Sequence, residues 1–199
     1  MSATAPIVVG ITGASGAPYA VRLLQQLTAS HRPISLIVSK YGMRLLATET
    51  GIESMDGLRE AVGKTAWDSC VRTYGNDDRG APPASGSSLT AGMIVCPCSM
   101  GTLSAIAVGA SRSLIERAAD VTLKERRKLI LVPRETPLSA IHLGNMLRLT
   151  RAGAIVMPAS PGFYHRPKQI SDLIDFVVAR MLDQLGVDQS LVKRWDGEN

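Results

Sequence analysis

Five short apolar runs, each followed by a stretch of helical periodicity, constrain the fold of this chain more than any other feature. The runs occupy residues 7–12, 34–39, 93–96, 129–132 and 154–157. Nearly continuous apolar character is typical of strands that are buried on both faces of a parallel sheet. The intervening periodicity predicts helices over residues 17–29, 41–50, 102–108, 113–124, 139–151 and 171–185. The alternation predicts an α/β fold, a three-layer sandwich with a single doubly wound parallel sheet and right-handed crossovers.

The chain of 199 residues is long enough for one domain with a sizeable core, so we expect a single domain over residues 1–199. Flexible ends are expected at 1–5 and 196–199. Residues 72–91 contain many turn formers and little periodicity, which predicts a long loop. The first residues lack the charged start of a signal peptide and an apolar run of about 18 residues. We therefore expect a cytoplasmic protein without a membrane span.

The composition favours small anionic ligands over nucleic acid. The formal net charge is +5, but aromatic residues make up only 4% of the chain and do not alternate with a basic run. Of the three cysteines, Cys96 and Cys98 end an apolar run and Cys70 is far away in sequence. This spacing does not match a zinc site, so we expect free thiols and no metal.

The turn after the first strand, GITGASGAP at residues 10–18, is rich in small residues. Its spacing G-x-x-G-x-x-G differs from the dinucleotide fingerprint, and no acidic residue follows the second strand at Ser39 to bind a ribose. Ser15 is expected to cap the next helix, leaving the N–H groups of the turn to face an anion or a flavin edge. These features favour a mononucleotide over NAD, although a turn that only packs a helix on a sheet would look the same.

A second turn of this kind, CPCSMGT at residues 96–102, follows the third strand and opens a small-residue helix. Hydroxyl groups and glycine at a helix start form an anion-binding cradle. Two such turns on successive crossovers of one sheet favour phosphate binding more than either turn alone.

Charged side chains occur at three further places. Arg134 and Glu135 lie where the chain leaves a buried strand, which is where open α/β sheets bind ligands. Arg117, Asp120 and Lys124 share one helix face, where a solvent-exposed salt-bridge ladder is the simpler interpretation. Arg180 lies among apolar residues of the last helix, so we expect an anionic partner for it.

Six motifs occur in order between about residues 7 and 195: GITGASGAPYAVRLL, ATETG, PCSMGTLSAIA, RAADVTLKERR, LVPRETP and PGFYHRP. Together they resemble the flavin prenyltransferase (UbiX-type) family, whose fold is flavodoxin-like or Rossmann-like. The resemblance implies a metal-independent transferase that joins the dimethylallyl group of dimethylallyl monophosphate to N5 and C6 of reduced FMN. It further implies that a UbiD-type decarboxylase receives the prenylated FMN, and that the protein is a homo-dodecamer with sites shared between subunits.

The resemblance also implies a set of site residues. FMN would be held by Gly13, Ala14, Ser15, Ser39, Ser99, Met100, Gly101, Thr102 and Arg134. The prenyl phosphate would contact Arg117, Lys124, Tyr164 and Arg180, with Trp195 beside the allyl group. The catalytic residues would be Ser15, Glu49, Lys124 and Glu135. Glu49, with Ser15 as relay, would handle the proton at flavin N5, and Glu135 would protonate the leaving phosphate if burial raises its pKa.

Three other functions remain open from the residues alone. The protein could be a flavin-dependent decarboxylase or its subunit, an FMN carrier without chemistry, or a nucleic-acid binder supported only by charge. A carrier would need the two turns but not Lys124, Glu135, Tyr164 and Arg180 together, so their joint presence favours the transferase.

Overall fold

The computed structural model describes residues 5–193 and has one fully parallel sheet of six strands, in the order β3-β2-β1-β4-β5-β6. The strands are β1 (Ile7–Ile11), β2 (Ile34–Val38), β3 (Val71–Tyr74), β4 (Gly92–Cys98), β5 (Leu129–Pro133) and β6 (Ile155–Val156). The helices are α1 (Ala17–Ala29), α2 (Lys40–Thr50), α3 (Met55–Val62), α4 (Lys64–Cys70), α5 (Met100–Ala107), α6 (Leu114–Lys124), α7 (Ala140–Arg151) and α8 (Ile170–Leu185). The predicted α/β fold with a doubly wound parallel sheet is confirmed.

The sheet is covered on both faces because its central strands are apolar throughout. Every residue of β1 and of β5 is buried. One hydrophobic cluster joins the sheet to α1, α2, α3, α4 and α8, and a second joins it to α5, α6 and α7. Within the described residues, none of the helices combines the length and the apolar character needed to cross a lipid bilayer.

The prediction of a loop over residues 72–91 is wrong in part, because its first residues belong to the edge strand β3, Val71–Tyr74. In β3, Arg72 and Thr73 are exposed, and the strand pairs only with β2. A strand at the sheet edge does not need the two-sided apolar pattern that marks the buried strands. Residues 82–84 form one 3₁₀ turn, and α3 and α4 lie between β2 and β3. The predicted elements themselves are present, with ends that differ by a few residues.

The strand order creates a crevice between β1 and β4. From β1 the chain continues to β2 on one side, and from β4 it continues to β5 on the other side. Loops that leave two adjacent strands in opposite directions open a crevice at the carboxyl ends, which is the usual ligand site of such sheets.

Candidate functional site

Thr12 joins the carboxyl ends of β1 and β4. Its backbone N–H and its hydroxyl both donate to the carbonyl of Pro97, at 3.2 and 2.9 Å. The N–H of Ser99 in turn donates to the Thr12 hydroxyl at 2.8 Å. These hydrogen bonds fix the turn of residues 12–16 against the start of α5, so both predicted ligand-binding turns border one crevice.

Three helices begin around this crevice, and each has a serine N-cap. Ser39 accepts from Gly42 N at 3.0 Å, Ser99 from Thr102 N at 3.2 Å, and Ser113 from Glu116 N at 3.3 Å. The positive ends of the α2, α5 and α6 dipoles therefore meet at a cavity of about 210 Å³. Among the predicted flavin residues, the cavity is lined by Gly13, Ser39, Ser99 and Thr102.

Two glycines allow α2 to lie directly on the first turn. A Cβ built at Gly13 would lie 2.5 Å from Cβ of Tyr41, and one built at Gly42 would lie 2.5 Å from the carbonyl oxygen of Ile11. Neither position has room for a Cβ, so the wall of the cavity depends on glycine at both positions.

The prediction that Ser15 caps α1 is wrong. The N-cap position is Gly16, and the cap is supplied by Glu49, whose Oε2 accepts from Gly16 N at 2.9 Å and from Ala17 N at 2.8 Å. The Ser15 hydroxyl also hydrogen-bonds to this carboxylate. These two N–H groups are therefore not free to face a ligand. A carboxylate can satisfy two N–H groups at once, which a serine hydroxyl at position 15 cannot match.

Glu49 is an ionised carboxylate near neutral pH. Partial burial by itself raises its pKa, but the hydrogen bonds from Gly16, Ser15 and Ala17 outweigh that effect. The positive charge of Arg134 acts in the same direction, so the pKa lies below its ordinary value. The carboxylate can consequently accept a proton through the Ser15 hydroxyl. No local sequence signal indicates the cap, because Glu49 is 32 residues from the helix start it binds.

The remaining predicted flavin residues differ in their exposure. Ala14 is buried, and its N–H donates to the carbonyl of Thr12 at 3.0 Å. Met100 packs in the hydrophobic cluster under α5, so only its backbone can face the crevice. Gly101 is exposed on the first turn of α5, and Arg134 is exposed after β5.

Glu135 and Lys124 lie at opposite edges of the sheet within one chain. Glu135 follows the carboxyl end of β5, where it is exposed and accepts from Thr136 N at 3.1 Å. Helix α6 starts at the crevice and runs for 11 residues, about 16 Å, toward the amino-terminal edge. Lys124 ends that helix and pairs with Glu125. One chain therefore does not bring these two predicted catalytic residues together.

The salt-bridge ladder expected on α6 forms only in part. Arg117 pairs with Asp120 at 2.8 Å and donates to the carbonyl of Ala84 at 3.2 Å. Lys124 does not continue the ladder, because its ammonium group contacts the adjacent Glu125.

Tyr164 and Arg180 line one open groove of about 540 Å³ beside α8. Arg180 pairs with Asp183 at 2.9 Å, so it has the anionic partner that we expected. The reason given for that partner is wrong, since the guanidinium side chain is 56% exposed and not buried. Trp195 lies outside the described residues.

His165 stacks on Phe176 with ring centroids 5.1 Å apart, and it meets the Tyr164 ring edge to face at 5.9 Å. Neither of its ring nitrogens has a hydrogen-bond partner among the residues that the structure describes. Its contact with Tyr164 is therefore one of ring packing.

The three cysteines are free, and Cys96 and Cys98 are buried. Burial raises the pKa of Cys98 to about 12 and raises that of Cys96 as well. Over residues 5–193, no group of three histidine, cysteine, aspartate or glutamate side chains could hold a metal ion.

Comparison with known proteins gives the family. A family model described as Flavoprotein matches residues 1–182. The flavin prenyltransferase UbiX of Pseudomonas aeruginosa is 50% identical over 202 residues, which cover 98% of this chain and 96% of that protein. The chain belongs to the UbiX family of flavin prenyltransferases.

Two solved UbiX-family structures are also similar along nearly the whole chain. AnUbiX (PadA1) in complex with FMN and dimethylallyl pyrophosphate has a TM-score of 0.90 and 43% identity, and the match covers 98% of this chain and 99% of that one. A dodecameric FMN-dependent UbiX-like decarboxylase from Escherichia coli O157:H7 has a TM-score of 0.88 and 43% identity, and covers 96% and 100%.

Proposed function

We propose that this protein is a flavin prenyltransferase that transfers a dimethylallyl group from an allyl phosphate to reduced FMN. The observation that carries the proposal is the crevice at β1 and β4, where a hydroxyl-lined cavity at three helix N-termini adjoins the Ser15–Glu49 pair. A relative that is 43% identical is solved with FMN and dimethylallyl pyrophosphate. An anion cavity beside a proton acceptor is the arrangement that binding FMN and removing a proton from its N5 would require.

We propose that the crevice binds FMN from its phosphate to its ring. Gly13, Ser39, Ser99 and Thr102 would hold the flavin phosphate, since helix N-termini and hydroxyl groups bind phosphate without an opposing charge. Ala14, Ser15, Met100, Gly101 and Arg134 would border the rest of the flavin. Met100 would contribute its backbone, because its side chain is buried.

Reduced FMN would supply the nucleophile. A bond would form from flavin N5 to the terminal allylic carbon while the bond from that carbon to oxygen breaks, and phosphate would leave with the electron pair. In a second step the remaining double bond would take up a proton, and its tertiary carbon would bond to flavin C6 as C6 releases its own proton. Glu49 accepts a proton from N5 through Ser15. Lys124, Arg180 and the Tyr164 hydroxyl would stabilise the departing phosphate by charge-assisted hydrogen bonds, with Arg117 nearby. The proposed role of Trp195 is to stabilise the allylic cation by a cation–π interaction. Glu135 gives a proton to the leaving oxygen.

We further propose that the complete site forms between copies of the chain. Lys124 and Glu135 lie at opposite edges of the sheet, so they can act on one phosphate only if different subunits provide them. The dodecameric assembly of the Escherichia coli relative supports a homo-dodecamer here. The proposed recipient of the product is a UbiD-type decarboxylase, and the proposed location is the cytoplasm.

The test is the conversion of reduced FMN with dimethylallyl monophosphate, followed by the mass gain of the flavin. Glu135→Gln should lose turnover while FMN binding is kept, and Arg180→Ala should weaken binding of the prenyl phosphate without affecting flavin uptake. Co-expression of Lys124→Ala with Glu135→Gln should restore part of the activity that each variant lacks alone, because mixed assemblies contain some intact composite sites. No mass gain with the wild type would overturn the transferase, and no restoration would overturn the shared site.

The second candidate function is decarboxylation, since the Escherichia coli relative is described as an FMN-dependent UbiX-like decarboxylase. The same preparation separates the two: a decarboxylase releases carbon dioxide from an aromatic acid and leaves the mass of FMN unchanged. An FMN carrier would give neither product.

A further inference from the structure

Several residues that are not among the predicted flavin ligands also line the cavity at the three helix N-termini, and two of them carry hydrogen-bond donors without a partner among the described residues. Tyr41 lies on the first turn of α2, and Asn76 follows the edge strand β3. Asn76 lies at the crevice because β3 pairs in parallel with β2, which brings residues after Tyr74 to the carboxyl edge of the sheet. The sequence pattern did not indicate this strand, so it did not indicate Asn76.

The orientation of the Asn76 side chain is fixed by its neighbours. Its Oδ1 accepts from Ile115 N at 3.2 Å, and its carbonyl oxygen accepts from Leu114 N at 2.7 Å. Since backbone N–H groups only donate, the atom that faces Ile115 must be the amide oxygen. The amide nitrogen therefore points elsewhere, and it makes no hydrogen bond with any residue that the structure describes. Two N–H donors remain at a cavity wall.

Tyr41 supplies a further donor at the rim of the cavity. Its side chain is 64% exposed, and its hydroxyl has no partner in the described part of the chain. The Cβ of Tyr41 lies against the first turn at Gly13, so the base of the side chain is fixed at the cavity wall. Tyrosine has only two side-chain torsions, so it can present its hydroxyl to a bound ligand at a small cost in side-chain entropy.

The charge of the cavity makes these neutral donors important. No lysine or arginine from residues 5–193 lines it, whereas the carboxylate of Glu116 does. That carboxylate is neutralised by Arg112, which donates from its backbone N at 2.8 Å and from its guanidinium at 3.2 Å. A phosphate in this cavity is therefore bound by dipoles and hydrogen bonds, and each additional donor contributes to its affinity.

We propose that Tyr41 and Asn76 are specificity residues that bind the flavin phosphate, and that they select FMN over riboflavin. The proposal rests on the flavin site of the proposed function and adds two ligands to it. It makes the edge strand β3 part of the flavin site, since that strand positions Asn76.

Asn76→Asp is the sharpest test because it separates the two roles of this residue. Aspartate keeps the oxygen that accepts from Ile115 N, and a negative charge at the start of α6 favours the helix. It replaces the two N–H donors with a charge that repels phosphate. Tyr41→Phe is the second variant, since it removes one hydroxyl and keeps the ring. Asn145→Asp, on α7, makes the same chemical change at a residue that does not line the cavity.

The measurement is the binding of oxidised FMN and of riboflavin to the full-length protein, followed by flavin fluorescence. We expect Asn76→Asp and Tyr41→Phe to weaken FMN binding by about tenfold or more, the effect of losing a hydrogen bond to a charged group. Riboflavin binding and melting temperature should stay as in the wild type, and Asn145→Asp should change neither ligand's affinity.

Parallel loss of FMN and riboflavin, or unchanged FMN affinity in both variants, would overturn the specificity role and leave the proposed function intact. Equal affinity of the wild type for FMN and riboflavin would also overturn the specificity role and leave the proposed function intact. A wild type that binds neither flavin would overturn the flavin site itself and the specificity role with it.

Discussion

Replacing Gly13 with alanine tests how tightly the first turn and α2 form the wall of the flavin cavity. The added Cβ would lie 2.5 Å from Cβ of Tyr41. Non-bonded carbon atoms are most stable at about 3.5–4.0 Å, so the turn and the helix would have to separate by about 1 Å. Rotation of the tyrosine ring cannot relieve the contact, because Cβ moves only with the helix backbone.

The cost follows from this geometry. Overpacking of a well-packed site destabilises a protein by about 1–3 kcal/mol. For a chain of 199 residues, each 1 kcal/mol lowers the melting temperature by about 2–4 °C, which gives an expected decrease of about 2–12 °C. The displacement also moves Ser39 away from the opposite wall of the cavity, and losing one hydrogen bond to phosphate lowers FMN affinity about tenfold or more.

Thermal unfolding and FMN titration measure both effects. Gly144→Ala, on α7, is the matched control, because its new Cβ would meet no described atom within 4 Å and the residue does not line the cavity. In a Tyr41→Gly background, Gly13→Ala should cost no further stability, whereas in a Tyr41→Ala background the full cost should remain. A Gly13→Ala protein that melts and binds FMN like the wild type would refute the argument, as would an undiminished cost in the Tyr41→Gly background.

Three further predictions follow from single contacts. Glu49→Gln should lower the free energy of unfolding by about 1 kcal/mol above pH 4.5. The difference from the wild type should shrink below that pH, as wild-type Glu49 becomes protonated at a pKa below its ordinary value. Thermal melts from acidic to neutral pH measure this difference, and a difference that stays constant contradicts the prediction. Ellman's reagent at about pH 8 should modify Cys70 alone in the folded protein, because burial raises the pKa of Cys96 and Cys98. All three cysteines should react in denaturant. Rapid reaction of all three in the folded protein would contradict the prediction. Asp175→Asn breaks the 2.6 Å ion pair of Asp175 with Arg22 between α8 and α1. It should lower the free energy of unfolding by about 1 kcal/mol, because both side chains are partly exposed, and leave flavin affinity unchanged; an unaltered midpoint in denaturant melts argues against it.

The sheet and most helices could be predicted because burial on two faces leaves a local pattern. Strands such as β1 and β5 are apolar at every position, and the helices repeat their apolar residues every three or four positions. The edge strand β3 could not be found this way, since one of its sides has no partner strand and Arg72 and Thr73 face solvent. Asn76 was missed for the same reason.

The site was predictable where its contacts are local. Ser39 and Ser99 are N-caps that bind backbone three residues away, and the hydroxyl before each apolar helix indicates this. The cap of α1 comes from Glu49, a contact set by how α2 packs on the sheet, and no short-range pattern encodes it. The positions of Lys124 and Glu135 at opposite edges follow from the direction of α6, which the alternation of strands and helices does imply.

The cations proposed to bind the prenyl phosphate share one property in the single chain. Each is paired with a carboxylate close to it on or next to its own helix: Arg117 with Asp120, Lys124 with Glu125 and Arg180 with Asp183. Ion pairs at this level of exposure contribute about 0–1 kcal/mol to stability. In the proposed site between subunits, a phosphate dianion would gain much more from the same cations, because less water would screen the charges. The local pairs would then keep the cations oriented before assembly and could be exchanged for substrate at little cost.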